Sequence, residues 1–386
     1  MVGTHYAPPP IGDVREATRA AIEEPLDYPA LREAIVPGDR VVIPLQAGVP
    51  QAAAIIAAVW DVLASRQVRA EDVTIIRPAR LDGRRDPDPR ADLPESVAAA
   101  FSLRTHDATD ESELAYLATS SGGERIYLAK ALCDADYVLP VGVIEFDRSL
   151  GYQGTSGGMF PALSNIDAIR KHGAASHVEL TPDSPRQART IADEVGWLLG
   201  TQFYVQAIRG AAGGVSQVIA GLAEPVLTAG RAAVDEGWRL TLLERPDTVF
   251  ASVDSDDASW PDVIDAAEAA SRLVSRGGRV VLLSDLRSTR DSLSDALAIL
   301  RESASTVEAR AVLTQLNSPE QPETMRLLSV LDRAEVFLLS QLDDALAEAL
   351  FLQPVDDENE ARRLLAAAGS VAILEGAQHV RTEVAG

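Results

Sequence analysis

PGDRVVIPLQAGVPQAAAIIAAVWDVLASRQVRAEDVTII, residues 37–76, is the stretch that decides the fold. It opens on a turn, Pro37-Gly38-Asp39, and passes into Arg40-Val-Val-Ile-Pro-Leu45, a short apolar run that reads as a buried strand. From about Gln51 to Ser65 the chain is rich in Ala and Ile, which predicts a helix. EDVTII, residues 71–76, reads as the next strand. Strand, helix and strand at this spacing predict a parallel pair with a crossover helix, because parallel neighbours cannot be joined by a tight turn.

Outward from that unit the alternation continues. The first ordered unit is expected to begin near Leu31, with residues 1–30 as an N-terminal extension. Residues 77–92 (RPARLDGRRDPDPRAD) crowd Arg, Asp and Pro and read as a surface loop. Leu114–Thr119 and Arg125–Leu128 flank Ser121-Gly122-Gly123 as a hairpin would. Tyr137–Val141 is another buried strand, leading to a Gly-rich segment, Gly151–Gly158. Helices are expected over Ile166–Gly173, Pro185–Leu199 and about Glu224–Glu236, with strands at Phe203–Ile208 and Val215–Ala220. A boundary falls around Glu244-Arg245-Pro246-Asp247, after which the pattern restarts with strand Thr248–Ser252, helix Pro261–Ser275 and strand Arg279–Leu283. Further helices are expected near 291–304, 322–332 and 341–351, with strands at 334–339 and 370–374. The fold class is α/β, in two domains with parallel-type sheets, 31–244 and a smaller 245–386.

Composition narrows the function classes. With 35 basic against 58 acidic residues the formal charge is −23, which repels phosphate backbones and argues against nucleic acid as a partner. No apolar run approaches the roughly 20 residues of a membrane span. The N-terminal residues do not follow the secretory pattern, so a cytoplasmic protein is expected. A lone cysteine, Cys133, leaves no disulfide framework or multi-cysteine metal site. Lysine is confined to Lys130 and Lys171.

The order of several short motifs resembles the nickel-pincer lactate racemase (LarA-like) family. Thr105-His-Asp-Ala108, Tyr116-Leu-Ala-Thr-Ser120, Ile126-Tyr-Leu-Ala-Lys-Ala131 and Ala135-Asp-Tyr-Val138 lead into Gly154-Thr-Ser-Gly-Gly158, similar to the family's Gly-Phe-Ser-Gly-Gly loop. Arg245-Pro-Asp-Thr-Val-Phe-Ala-Ser252 and Arg276-Gly-Gly-Arg-Val-Val-Leu-Leu283 resemble its paired second-domain strands. The resemblance implies an interdomain cleft in which a lysine-tethered nickel-pincer nucleotide takes hydride from a 2-hydroxy acid. Two histidines would exchange the hydroxyl proton, and Arg and Lys would hold the carboxylate.

This chain departs from that pattern. The family's Asp-x-Thr-Arg-Pro is here Gln46-Ala-Gly-Val-Pro50, its Gly-Thr-His falls on Pro78-Ala-Arg80, and its Glu-Pro-His region reads Ile144-Glu-Phe-Asp-Arg148. The tether lysine of Ser-Gly-Gly-Ala-Lys falls on Phe160 in Ser156-Gly-Gly-Met-Phe160, and phenylalanine cannot form the covalent attachment. The expected site therefore has Glu145, Asp147 and Arg80 as candidate catalytic groups and Gly154, Ser156, Gly157 and Gly158 as the cofactor or anion loop. Arg77 and Arg148 would bind substrate, and His172 is the nearest counterpart of the family's metal ligand. Arginine forks suit carboxylates, so a small anionic carboxylate is the expected ligand, with Arg84 and Arg85 adding to the cluster.

Other readings compete. Gly154-Thr-Ser-Gly-Gly158 fits G-x-S-x-G, which would make Ser156 a hydrolase nucleophile with His379 as a distant partner. His172 and His177, five apart, do not share a helical face and read as helix-end residues; His106 before Asp107 reads as a hydrogen-bonded structural residue, and His5 completes the five histidines. A binding or regulatory scaffold without turnover is the alternative of a different class.

Overall fold

The structure, a computed structural model, describes residues 1–80, 85–173, 184–255, 257–289, 292–316 and 321–385. Arg84 and His177 lie outside the described residues. The chain divides into two compact units, Pro9–Asp235 and a second made of Met1–Pro8 with Glu236–Gly386. Residues 1–30 are thus not set apart as an extension: strand β1 (Gly3–His5) joins a sheet of the second unit, while a helix at Val14–Glu23 packs into the first. That helix buries Val14, Thr18 and Ile22, four residues apart on one face, and Asp13 caps it by accepting from the Glu16 N–H.

In the first unit, β2 (Val41–Pro44), β3 (Val73–Pro78) and β4 (Ser102–His106) pair parallel. The helix Ala52–Ser65 crosses between β2 and β3, burying Ile55, Ile56, Val59, Val62 and Leu63. Positions i, i+1, i+4, i+7 and i+8 make one apolar stripe, which the strands cover with Val41, Ile43, Val73 and Ile75. β5 (Leu114–Thr119) and β6 (Arg125–Ala129) form the expected antiparallel hairpin. β7 (Tyr137–Val138) pairs parallel with β2, and the chain runs on as β8 (Val141–Asp147), with Leu45 bridging Val141. β9 (Gly151–Gln153) folds back antiparallel on β8, β10 (Tyr204–Arg209) lies parallel to β8, and β11 (Val215–Gly221) closes antiparallel on β10.

The two four-stranded sheets, β4-β3-β2-β7 and β11-β10-β8-β9, meet through the Leu45–Val141 bridge. The chain leaves β2 towards β4 on one side and returns on the other as β8. Such a reversal is where open parallel sheets bind ligands, beyond the carboxyl ends of the strands.

The second unit adds β12 (Arg239–Leu242), β13 (Thr248–Ser252), β14 (Arg279–Leu283), β15 (Glu335–Leu339), β16 (Gln353–Pro354), β17 (Val371–Leu374) and β18 (Arg381–Val384). Its main sheet runs β1-β17-β13-β14-β15-β16, every pair parallel, and β12 pairs with β18. Phe250, Val281 and Val371 anchor one face of that sheet. The helix Trp260–Leu273 starts at a capping box between Ser259 and Asp262. No helix among the described residues is long and apolar enough to cross a membrane.

Candidate functional site at the carboxyl ends of β2, β3, β8 and β10

Where β2, β3, β8 and β10 end, the chain places Gly48, Arg77, Arg80, Glu145 and Arg209. Parallel register aligns the ends of β2 and β3 in one sheet, with Ile43 opposite Ile75, and of β8 and β10 in the other, with Ile144 opposite Ile208, and the Leu45–Val141 bridge joins the two. Asp86 organises one half. Its Oδ1 accepts from Arg80 Nη1 at 2.7 Å and from the Gly48 N–H at 3.3 Å, and its carbonyl oxygen accepts from Arg77 Nη1 at 3.4 Å. Glu145 organises the other half by accepting from Arg209 Nε at 2.6 Å. Gly48 joins the two, since its carbonyl oxygen accepts from Arg209 Nη2 at 3.0 Å.

All four charged side chains of this chain of contacts are mostly enclosed, with 17% exposure for Arg80, 19% for Asp86, 18% for Arg209 and 23% for Glu145. Ion pairs at that depth lose less to solvent screening than surface pairs and hold their geometry better. Gly48 has φ +69°, a left-handed backbone that favours glycine. A Cβ there would lie 3.4 Å from Arg80 Nη1 and 3.6 Å from Arg209 Nη2.

Of the residues expected from sequence, Arg77, Arg80 and Glu145 come together here. Asp147, two positions beyond Glu145 on β8, instead closes the turn into β9, its Oδ1 accepting from the Leu150 N–H at 2.7 Å. Burial pushes its carboxyl above the ordinary range, the N–H groups of Leu150 and Ser149 pull it back, and nearby Glu145 adds to the rise. Arg148 is exposed on the same turn, and its carbonyl oxygen accepts from Arg186 Nε. Arg85 is exposed as well.

The Gly154–Gly158 loop takes a different place from the one its glycines suggest. It is buried, and its small residues serve close packing. A Cβ on Gly157 would lie 2.8 Å from Leu150 Cδ1, and one on Gly158 would lie 2.9 Å from Gln46 Oε1. The Thr155 N–H donates to Gln206 Oε1, the Gly157 N–H returns to the Gly154 carbonyl, and Arg189 reaches in to the Gly154 carbonyl and the Thr155 hydroxyl. Ser156 is 1% exposed and its hydroxyl meets the Tyr204 phenol at 2.9 Å. A hydroxyl in the core, paired with a phenol, lacks the exposed placement of an elbow nucleophile. His379 belongs to the other unit, beside Trp238.

His172 is buried, and its Nε2 lies 2.8 Å from Glu124 Oε1, whose other oxygen accepts from Lys171 Nζ at 2.7 Å. Burial opposes ionisation of Glu124, but hydrogen bonds from Lys171 and His172 outweigh it and hold the carboxyl below its ordinary range. Among the described residues no group of three or more His, Cys, Asp and Glu is placed to hold a metal ion. His106 is the structural residue its setting suggested, with Nε2 2.7 Å from the Ser164 carbonyl oxygen.

Phe160 is 1% exposed and packs among Ile126, Leu128, Leu150 and Ile191, with the His172 ring 5.3 Å away. Sequence reasoning missed Arg209, Asp86 and Gln46. Arg209 could have been found as the first charge towards the carboxyl end of a buried strand, the same setting as Arg77 and Glu145. Gln46 is a buried tie, its Oε1 accepting from the Val143 N–H at 3.1 Å.

With this geometry in view, the likenesses to known proteins can be placed. The family model described as the lactate racemase N-terminal domain matches residues 2–184. No curated protein matches the chain in sequence. Among solved structures, the lactate racemase apoprotein from Thermoanaerobacterium thermosaccharolyticum is similar with TM-score 0.75 and 15% identity, over 98% of this chain and 94% of that one. A Thermotoga maritima protein solved by a structural genomics consortium is similar with TM-score 0.66 and 12% identity, over 99% of this chain and 100% of that one. At such identities the structural likeness speaks for the fold alone. Residues 2–184 thus match the lactate racemase N-terminal domain, and the whole chain is similar in fold to the lactate racemase apoprotein.

Proposed function

We propose that the protein binds a small carboxylate, of the 2-hydroxy-acid kind, at the carboxyl ends of β2, β3, β8 and β10, without the tethered-nickel chemistry of the family. The observation that carries this reading is Arg80, enclosed and held by Asp86 beside the bare Cα of Gly48. A planar fork in a fixed orientation recognises a carboxylate with little further ordering. Arg80 also stands where the family resemblance would put an acid/base histidine. A guanidinium stays protonated and cannot exchange the hydroxyl proton, so the change favours binding over racemisation.

The residues present do not fit a lysine-tethered nickel-pincer group. The position assigned to the tether is Phe160, which has no amine and is packed in the core, and His172 is engaged with Glu124. A binding protein built on the family scaffold accounts for both facts. Glu145 and Asp86 then serve to orient arginines.

Isothermal titration of the full chain with L-lactate and D-lactate tests this. Binding of either is expected, and Arg80→Gln should weaken it about 10- to 100-fold, the effect of losing a charge-assisted hydrogen bond. No binding of either enantiomer, or equal binding by the variant, overturns the reading.

A further inference from the structure

We infer that the cleft between the β5–β6 hairpin and the helices Ile166–Gly173 and Gln187–Leu198 binds a small organic cation carrying a primary ammonium group, with Glu194 as its counter-charge. The cleft has a volume of about 330 Å³ and lies wholly within the first unit. That is the lower end of the roughly 300–1,000 Å³ that small-molecule sites occupy. Ser121, Glu124, Lys171, Thr190, Ile191 and Glu194 are among the residues that line it. It shares no residue with the arginine site described above, so the two stand or fall separately.

The two carboxylates of the cleft are engaged differently. Lys171 Nζ lies 2.7 Å from Glu124 Oε2 and His172 Nε2 lies 2.8 Å from Glu124 Oε1, so a lysine compensates that acid. Glu194 Oε1 accepts from the Ser121 N–H at 2.6 Å and its Oε2 from the Ser121 hydroxyl at 3.0 Å, both neutral donors. Among the described residues no cationic side chain pairs with Glu194. The two bonds fix the plane of the carboxylate, and each oxygen keeps a lone pair for a ligand N–H. A carboxylate that is oriented and carries an unpaired charge attracts an ammonium, and the net charge of −23 adds to the pull. Ile191, three positions before Glu194, contributes apolar surface for an alkyl stem. Trp197, three positions after it, is exposed on the same helix, so an aromatic face suited to a cation neighbours the carboxylate.

Saturation-transfer NMR on the full chain tests the assignment, with 1,4-diaminobutane as the probe and 1,4-butanediol as its uncharged counterpart. Solvent-exposed charge pairs are weak, so a Kd of about 1 mM is expected for the diamine, and binding of the diol about tenfold weaker or more. Raising the salt to about 1 M should weaken the diamine several-fold. Glu194→Gln keeps an oxygen for Ser121 and removes the charge, and is expected to weaken the diamine about tenfold. Thr190 stands four positions before Glu194 on the helix, so Thr190→Arg puts a guanidinium within reach of that carboxylate and should compete with the diamine from within the chain. Circular dichroism and melting temperature check the folding of both variants. If Glu194→Gln does not fold, Thr190→Arg decides. No binding of the diamine by the wild type, or equal binding of the diol, overturns the assignment. Wild-type affinity in the folded variants overturns it too, by placing the diamine elsewhere on the acidic surface.

Discussion

Asp147 is the last residue of β8. It follows Glu145 by two on a strand, an arrangement that puts both side chains on one face and suggests an acid/base pair. In the folded chain its Oδ1 accepts from the Leu150 N–H and closes the turn. Burial raises its carboxyl, so its ionised form is disfavoured in the folded state relative to the unfolded one. An acid whose folded value is raised costs stability above the ordinary carboxylate range, and that cost disappears as pH falls below it. Asp147→Asn keeps the accepting oxygen and removes the charge. The variant should therefore match or exceed wild-type stability at neutral pH and lose that advantage in acid. Urea denaturation at pH 7 and pH 4 measures this; an Asn variant clearly less stable at pH 7 would show that the charge itself is needed.

The glycine loop and the helix Gln187–Leu198 make the same point at the scale of elements. A G-x-S-x-G string is legible in sequence, but whether its glycines face a ligand or a neighbouring helix depends on what packs against it. Here a Cβ on Gly196 of the helix would lie 2.1 Å from Ser156 Oγ and 2.8 Å from the Tyr204 phenol oxygen. The loop and helix approach this closely only because position 196 is bare. Gly196→Ala is expected to destabilise the protein by about 1–3 kcal/mol, the usual penalty of overpacking a filled interior. A melting curve reads it directly, and an unchanged midpoint would mean that the contact is loose. The β2-helix-β3 unit, by contrast, was plain from residues 37–76. Its strand lengths shifted by only a residue or two, because apolar spacing and the turn at Pro37-Gly38-Asp39 are local signals.

For the molecule as a whole, the least expected feature is the N-terminus. β1 adds to the edge of the second unit's sheet by pairing Gly3, Thr4 and His5 with Ala372, Ile373 and Leu374. Its His5 ring lies 5.6 Å from Trp238, within the same unit. Removing residues 1–8 leaves β17 as an uncovered edge, and the loss of a few backbone hydrogen bonds with their packing should lower stability by roughly 2–4 kcal/mol. Denaturation of the truncated chain, followed by Trp fluorescence, checks this. An unchanged transition would show that β1 contributes nothing. The α/β class and the repeating strand and helix order were determined by the sequence alone, because hydrophobic period and turn residues act over a few positions. The tertiary structure alone decided that β1 joins a strand more than 360 positions away, that Arg209 meets Glu145 and Gly48, and that the glycine loop lies in the core. Those contacts join residues far apart in the chain, and no local signal along the sequence specifies them.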